Sequence, residues 1–249
     1  MIAPSKPIEV FGRCIEQEEL GKRLYDKQSF LLHGPAGVGK TLLLSLLFSK
    51  FPNLLYSAQN PTPQILYQNL AAGLLAERSR ILLKACKAGA ETLRKKTAAA
   101  VRGIVRDALQ ASPHIVILDH LARPSYLLAG AVRELMVDCS VPVVAVSRSA
   151  HMEDSGFVLP FFPDRTEKFA IRNFDPGMSV EFAKWCADRE KLTAGNLAQF
   201  LEQVAEFSGG NPGAIMQMIR MAHTPKYSSR GQIKATPLYI DFRIVTISQ

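Results

Sequence analysis

Gly34, Gly39, Lys40 and Thr41 have types and spacing that do chemistry together. They sit in Gly34-Pro35-Ala36-Gly37-Val38-Gly39-Lys40-Thr41, which satisfies G-x-x-x-x-G-K-[ST] at every fixed position. Glycines let a loop curl until successive backbone N–H groups converge on phosphate oxygens, where a side chain would block the approach. A helix starting near Gly39 adds the positive end of its dipole. Lys40 is then placed to reach the β- and γ-phosphates of a nucleoside triphosphate, and the Thr41 hydroxyl to ligate Mg²⁺. Gly34, Pro35, Ala36, Gly37, Val38, Gly39, Lys40, Thr41 and Leu42 form the candidate nucleotide-contact set.

A second anchor lies about 80 residues further on. Asp119 ends the apolar run His114-Ile115-Val116-Ile117-Leu118, so its carboxylate is expected at a strand's C-terminal end, where it can hold Mg²⁺ with Thr41. Many hydrolysing enzymes of this kind place a glutamate next, to polarise the attacking water. Here the neighbour is His120, and slow or partner-dependent hydrolysis is expected. Arg148 follows Val144-Ala145-Val146-Ser147 and is a candidate sensor of the γ-phosphate. Lys40, Asp119 and Arg148 are the candidate catalytic groups. Arg123, Arg133 and Arg165 are each candidates for an arginine finger, and the sequence does not choose among them. The five histidines have no metal-ligand spacing.

These groups must be positioned by strands and helices that the pattern also announces. Apolar runs at 29–33, 53–57, 114–119, 141–147 and 168–171 read as buried strands, separated by helical stretches such as 42–48 and 126–137. Thr62-Pro63 opens another helix, Thr as N-cap and Pro at the first helical position. Alternation of this kind predicts a parallel sheet covered on both faces. From Asp175 the texture is helical only. Phe182, Trp185 and Cys186 share a face, as do Leu197, Phe200, Leu201, Val204 and Phe207, and both stripes, Trp185 included, are expected to be core. Residues 225–249 alternate weakly, which predicts an edge strand or a strand paired to a partner.

The chain has 249 residues, 47 % of them hydrophobic and 21 % charged, enough to bury a sizeable core. Four scattered cysteines without a C-x-x-C pair fit a reducing compartment, and no apolar run approaches a membrane span. A cytoplasmic location is expected, with no membrane partner. Of the net charge of +8, six units fall between Glu77 and Asp107, which hold nine basic residues against three acidic ones. Arg78, Arg80, Lys84, Lys87, Arg94, Lys95, Lys96, Arg102 and Arg106 are either a solvated helical surface or a footprint for duplex DNA.

Val10-Phe11-Gly12-Arg13 with Glu18-Glu19-Leu20 resembles the box that precedes the phosphate loop in AAA+ ATPases of the replication-initiator kind and in STAND-type signalling NTPases. Val146-Ser147-Arg148 is similar to the STAND form of the first sensor, and Gly209-Gly210-Asn211-Pro212 resembles the family's lid turn. The resemblance implies a P-loop NTPase three-layer α/β core at 1–175, a small helical lid at 176–224 and a tail at 225–249. It implies adenine contacts from Val10, Phe11, Gly12 and Arg13, and packing of Pro212 on the nucleotide. ATP would close the lid through Arg148 and the Pro212 turn. The function expected is an ATP-binding, nucleotide-dependent switch with weak ATPase activity, acting as a homo-oligomer or on a protein partner. The alternative is an AAA+ helper that assembles on duplex DNA through the basic segment. Gly213-Ala214-Ile215, after Pro212, lacks the second-sensor arginine of ordinary AAA+ proteins, and Arg220 is a weak substitute.

Overall fold

A computed structural model describes residues 11–48, 50–85 and 96–247. Val10, Lys87, Arg94 and Lys95 lie outside them. The chain divides into two compact units, one of residues 15–34 and 40–170, the other of 1–14, 35–39 and 171–249.

The first unit is built on five parallel strands: β1 (Phe30–His33), β2 (Leu54–Ser57), β3 (Ile115–Leu118), β4 (Val143–Ser147) and β5 (Lys168–Ala170), in the order β2-β3-β4-β1-β5. The near-continuous apolar strands are what a parallel sheet with two covered faces requires. Every residue of β3 and β4 is buried. Leu31, Leu55, Val116, Leu118, Val143 and Ala145 point to one face. They join a core with α3 (Pro63–Ala76), α4 (Arg80–Ala85), α5 (Ala98–Ala111) and α6 (Tyr126–Val137). The alternate residues Phe30, Leu32, Ile115, Ile117, Val144 and Val146 are equally buried. On that side α1 (Cys14–Tyr25) places its Arg23 guanidinium 5.5 Å from the Phe30 ring centroid. The expected P-loop α/β layering is the fold observed.

Helix starts follow local chemistry. Thr62 caps α3 by accepting from Ile65 N at 3.3 Å, with Pro63 in the first turn, and Ser125 caps α6 by accepting from Leu128 N at 3.2 Å.

The second unit is helical, with α7 (Pro176–Glu190), α8 (Leu197–Phe207), α9 (Pro212–Met221) and α10 (Ala235–Ile247). Its core joins Phe182, Cys186, Phe200, Leu201, Val204, Ile215, Met218, Leu238 and Phe242. Trp185 packs at its edge, stacked on Phe182 at 5.6 Å. The edge strand expected in the tail is not what forms. Residues 235–247 are helix, because Leu238 and Phe242, four apart, are buried together while Tyr239 stacks on Phe207 at 4.6 Å. The only strand pairing described there is the two-residue β6 (Ser228–Ser229) and β7 (Gln232–Ile233) hairpin, turned by Arg230 and Gly231, both with positive φ. No described helix is long and apolar enough to cross a membrane.

Candidate functional site

The order β3-β4-β1 brings the C-terminal ends of three strands side by side, and each carries one of the groups read from the sequence. The glycine-rich loop follows β1, Asp119 follows β3 and Arg148 follows β4. In open α/β sheets this edge, where strand order reverses, is the natural ligand site.

Gly37 (φ 79°) and Gly39 (φ 101°) take left-handed backbone that side chains disfavour. A Cβ built on Gly39 would meet nothing within 4 Å, so it would project into open space above the loop. The helix α2 (Lys40–Leu47) starts at the lysine itself. The Lys40 ammonium donates back to Gly34 O at 2.5 Å. Burial pushes its pKa down, opposed by Asp119 and Asp154 and reinforced by the nearby charge of Arg148. Thr41 and Leu42 are both exposed on the first turn. His33, at the end of β1, is also shifted down, by burial first and then by His151, Lys40 and Lys168.

Asp119 is 1 % exposed and accepts from donors on three sides. Its Oδ2 accepts from the Thr41 hydroxyl at 2.7 Å and from the Tyr56 hydroxyl at 2.7 Å, and its Oδ1 accepts from His120 N at 2.7 Å. Tyr56 was not singled out in the sequence. The signal lay only in strand pairing, since β2 lies beside β3 with Tyr56 opposite Ile117. His120 has φ 54° and an exposed ring with Nε2 3.7 Å from Asp119 Oδ2, so its side chain turns back toward the carboxylate. Arg148 is exposed beyond β4, as are Arg123, Arg133 and Arg165.

The crest of the loop, residues 35–39, belongs to the helical unit. Asn211, the N-cap of α9, donates its side-chain amide to Ala36 O at 2.8 Å, and Gly213 N donates to Gly37 O at 3.0 Å. Pro212 is half-buried between those two contacts. Phe11 sits in an aromatic cluster with Phe174, Phe182 and Trp185, at centroid distances of 6.2, 5.4 and 5.9 Å. Gly12 has φ 65°, and a Cβ on it would meet Met178 Sδ at 3.0 Å. Arg13 is buried, its guanidinium 4.3 Å from the Phe174 ring centroid and donating to Arg172 O (2.7 Å) and Val38 O (3.4 Å). Arg220 is paired with Glu190 at 2.9 Å.

The basic segment is less uniform than its sequence. Arg102 is committed to Glu134, with Nη2–Oε2 at 2.7 Å and Nε–Oε1 at 2.9 Å, and the Tyr67 hydroxyl donates to the same carboxylate at 2.6 Å. Burial pushes the Glu134 pKa up, but the hydrogen bonds from Arg102 and Tyr67 outweigh it and hold the carboxyl below its ordinary value. Arg102 therefore serves an internal carboxylate, which charge counting along a helix could not reveal. Arg78, Arg80, Lys84 and Arg106 are exposed, and Lys96 is half-buried.

Among the described residues no group of three or more His, Cys, Asp and Glu could hold a metal ion. The oxygen groups read as cation ligands at the loop are the Thr41 hydroxyl and the Asp119 carboxylate, bonded to each other. That sparse, hard set fits Mg²⁺, which keeps several waters and takes its remaining ligands from phosphates.

Residues 30–124, which hold the loop, Asp119 and the strands between them, match the family described as AAA, the ATPase family associated with various cellular activities. The fold is similar to the Walker-type ATPase PABY2304 of Pyrococcus abyssi, with a TM-score of 0.65 and 18 % identity over 100 % of this chain and 77 % of that one. It is also similar to the Aeropyrum pernix ORC1 protein, whose structure was solved in complex with DNA (0.63, 12 %, covering 97 % and 66 %). A third likeness is to the Thermotoga maritima RuvB Holliday junction branch migration motor (0.54, 13 %, covering 93 % and 69 %). No curated protein matches the sequence. The family match covers the segment that holds the loop and Asp119, and the solved structures share the fold of the chain.

Proposed function

We propose that this chain is an ATP-dependent switch with slow or partner-stimulated hydrolysis. The observation that carries the reading is the pair Thr41–Asp119, joined at 2.7 Å at the strand ends with Lys40 on the same turn of α2. Thr41 and Asp119 would hold Mg²⁺, which when bound neutralises charge on the β- and γ-phosphates. Lys40 exchanges its bond to Gly34 O for phosphate oxygens, and the left-handed glycines aim backbone N–H groups at the same anion. Arg148, whose charge already reaches Lys40, reads the γ-phosphate. Val10, Phe11, Gly12 and Arg13 are the adenine-contact candidates. The Asn211–Gly213 turn is bonded to Ala36 O and Gly37 O, so a phosphate that shifts the loop crest also shifts that turn.

Hydrolysis is slow in this reading because no carboxylate follows Asp119. The His120 ring, exposed and turned toward Asp119, is a weak substitute for a base aimed at water.

A second reading, assembly on duplex DNA, is favoured by the exposed Arg78, Arg80, Lys84 and Arg106 and by likeness to a protein solved with DNA. ATP turnover and nucleotide affinity, measured with Mg²⁺ with and without duplex DNA at two salt concentrations, test both. Salt-sensitive stimulation by DNA supports the helper. Tight binding with negligible turnover in every condition supports the switch. Failure to bind ATP overturns both.

A further inference from the structure

We propose that Tyr56 is a positioning residue for the metal-anchoring carboxylate, setting the rotation of Asp119 so that one acceptor position of Oδ1 faces the cation's hydration shell. This inference rests on the nucleotide reading above. An ionised carboxylate offers about four acceptor positions. Three are filled by donors of this chain: both on Oδ2, by Thr41 and Tyr56, and one on Oδ1, by His120 N. The convergence of two hydroxyls on one oxygen of a carboxylate that is 1 % exposed restrains the rotation of the carboxylate plane.

Thr41 cannot do this alone. Its hydroxyl has one proton and is also the metal-ligand candidate, so the carboxylate's orientation would hang on the group it must cooperate with. Tyr56 supplies an independent restraint from a different strand. It is well suited to that, because its ring has few torsions to fix and its surroundings fix them. The strand β2 is laddered to β3, which delivers Asp119, with Tyr56 opposite Ile117. Phe48 meets the tyrosine ring edge-on, at 5.5 Å and 90°. Oriented partners behind a metal ligand commonly change metal affinity by 10- to 100-fold when removed.

The test is Tyr56→Phe, read by equilibrium binding of the N-methylanthraniloyl derivative of ATP in EDTA and across a Mg²⁺ series, with melting temperature measured without nucleotide. Wild-type protein comes first. Nucleotide binding that Mg²⁺ does not strengthen would overturn the nucleotide-site reading and this inference with it. Given Mg²⁺ coupling in wild type, the expected result is Mg²⁺-free affinity within about twofold and a Mg²⁺ enhancement reduced about 10-fold. The reduction should vanish when Tyr56→Phe is placed on Asp119→Asn, because both act through one carboxylate. Unchanged Mg²⁺ enhancement in Tyr56→Phe, whatever its melting temperature, would make Tyr56 a packing residue and sink the proposal. Should that variant not fold, Phe48→Leu loosens the ring and keeps the hydroxyl. A smaller loss of Mg²⁺ enhancement then supports the proposal, and no loss overturns it.

Discussion

Gly213 and Gly37 touch backbone to backbone. The Gly213 amide donates to Gly37 O at 3.0 Å, and a Cβ on Gly213 would lie 2.9 Å from Gly37 Cα and 3.0 Å from its carbonyl oxygen. The AAA+ resemblance leads one to expect a second-sensor arginine at the start of this helix, where the sequence has Gly213-Ala214-Ile215. Here the phosphate loop itself occupies the space a side chain would need.

Gly213→Arg, which looks like a repair of the sensor, is therefore expected to do harm. The obstacle is backbone and cannot rotate away, so overpacking should cost about 1–3 kcal/mol. ATP affinity should fall about 10-fold as the loop crest is displaced, an expectation that rests on the same overpacking. Titration calorimetry and thermal melting check this. Tighter ATP binding with an unchanged melting temperature would show that the loop yields freely.

Lys40→Ala is expected to abolish ATP binding, and Asp119→Ala to remove its Mg²⁺ dependence while leaving weak Mg²⁺-free binding. Asp119→Ala also strips the acceptor from the Thr41 and Tyr56 hydroxyls. Thr41 is exposed and Tyr56 half-buried, so the loss of stability should be at the low end for an unsatisfied donor, about 1 kcal/mol. Wild-type-like affinity in Lys40→Ala, measured by fluorescent-nucleotide titration, would remove the phosphate-loop assignment.

His120→Glu is expected to raise single-turnover hydrolysis, by up to about 100-fold if the missing carboxylate is what limits the chemical step. The left-handed φ of 54° at this position suits His better than Glu or Gln, so the decisive comparison is between the Glu and Gln variants. His120→Gln is the control that keeps the shape of Glu without its charge. Equal rates in Glu and Gln variants would place the limit elsewhere, in an absent partner or in product release.

Arg102→Ala should destabilise the protein by about 1–2 kcal/mol, since it leaves the buried Glu134 carboxylate with only Tyr67. The side chain is 57 % exposed, which keeps the figure at the low end. The Glu134 pKa lies below its ordinary 4.5 in the folded state, so this stabilisation is full above that value. It is lost as pH falls through the lowered folded pKa. The gap between wild type and variant in denaturant melts should close in acid, and a gap that widened there would contradict the pairing. For DNA, neutralising Arg78, Arg80 and Lys84 together tests the exposed surface while sparing Arg106, whose charge acts on Glu134. Duplex affinity and its salt slope should both drop if that surface is used.

The sequence by itself was enough to read the phosphate loop, the strand ending in Asp119 and the parallel α/β class. Each is written in neighbouring residues: a glycine spacing, an apolar run, an alternation of strand and helix patterns. The helical stripes around Phe182 and Phe200 were legible for the same reason. What only the tertiary structure decided depends on residues far apart in the chain. Tyr56 reaches Asp119 through strand pairing, Arg102 leaves the basic surface for Glu134, and Gly213 meets Gly37. The tail was misread because Tyr239 to Ile244 alternates as a strand would, while burial of Leu238 and Phe242 against the helical core favours a helix. Local patterns fix which faces are apolar, but which partner covers a face is settled by packing across the whole chain.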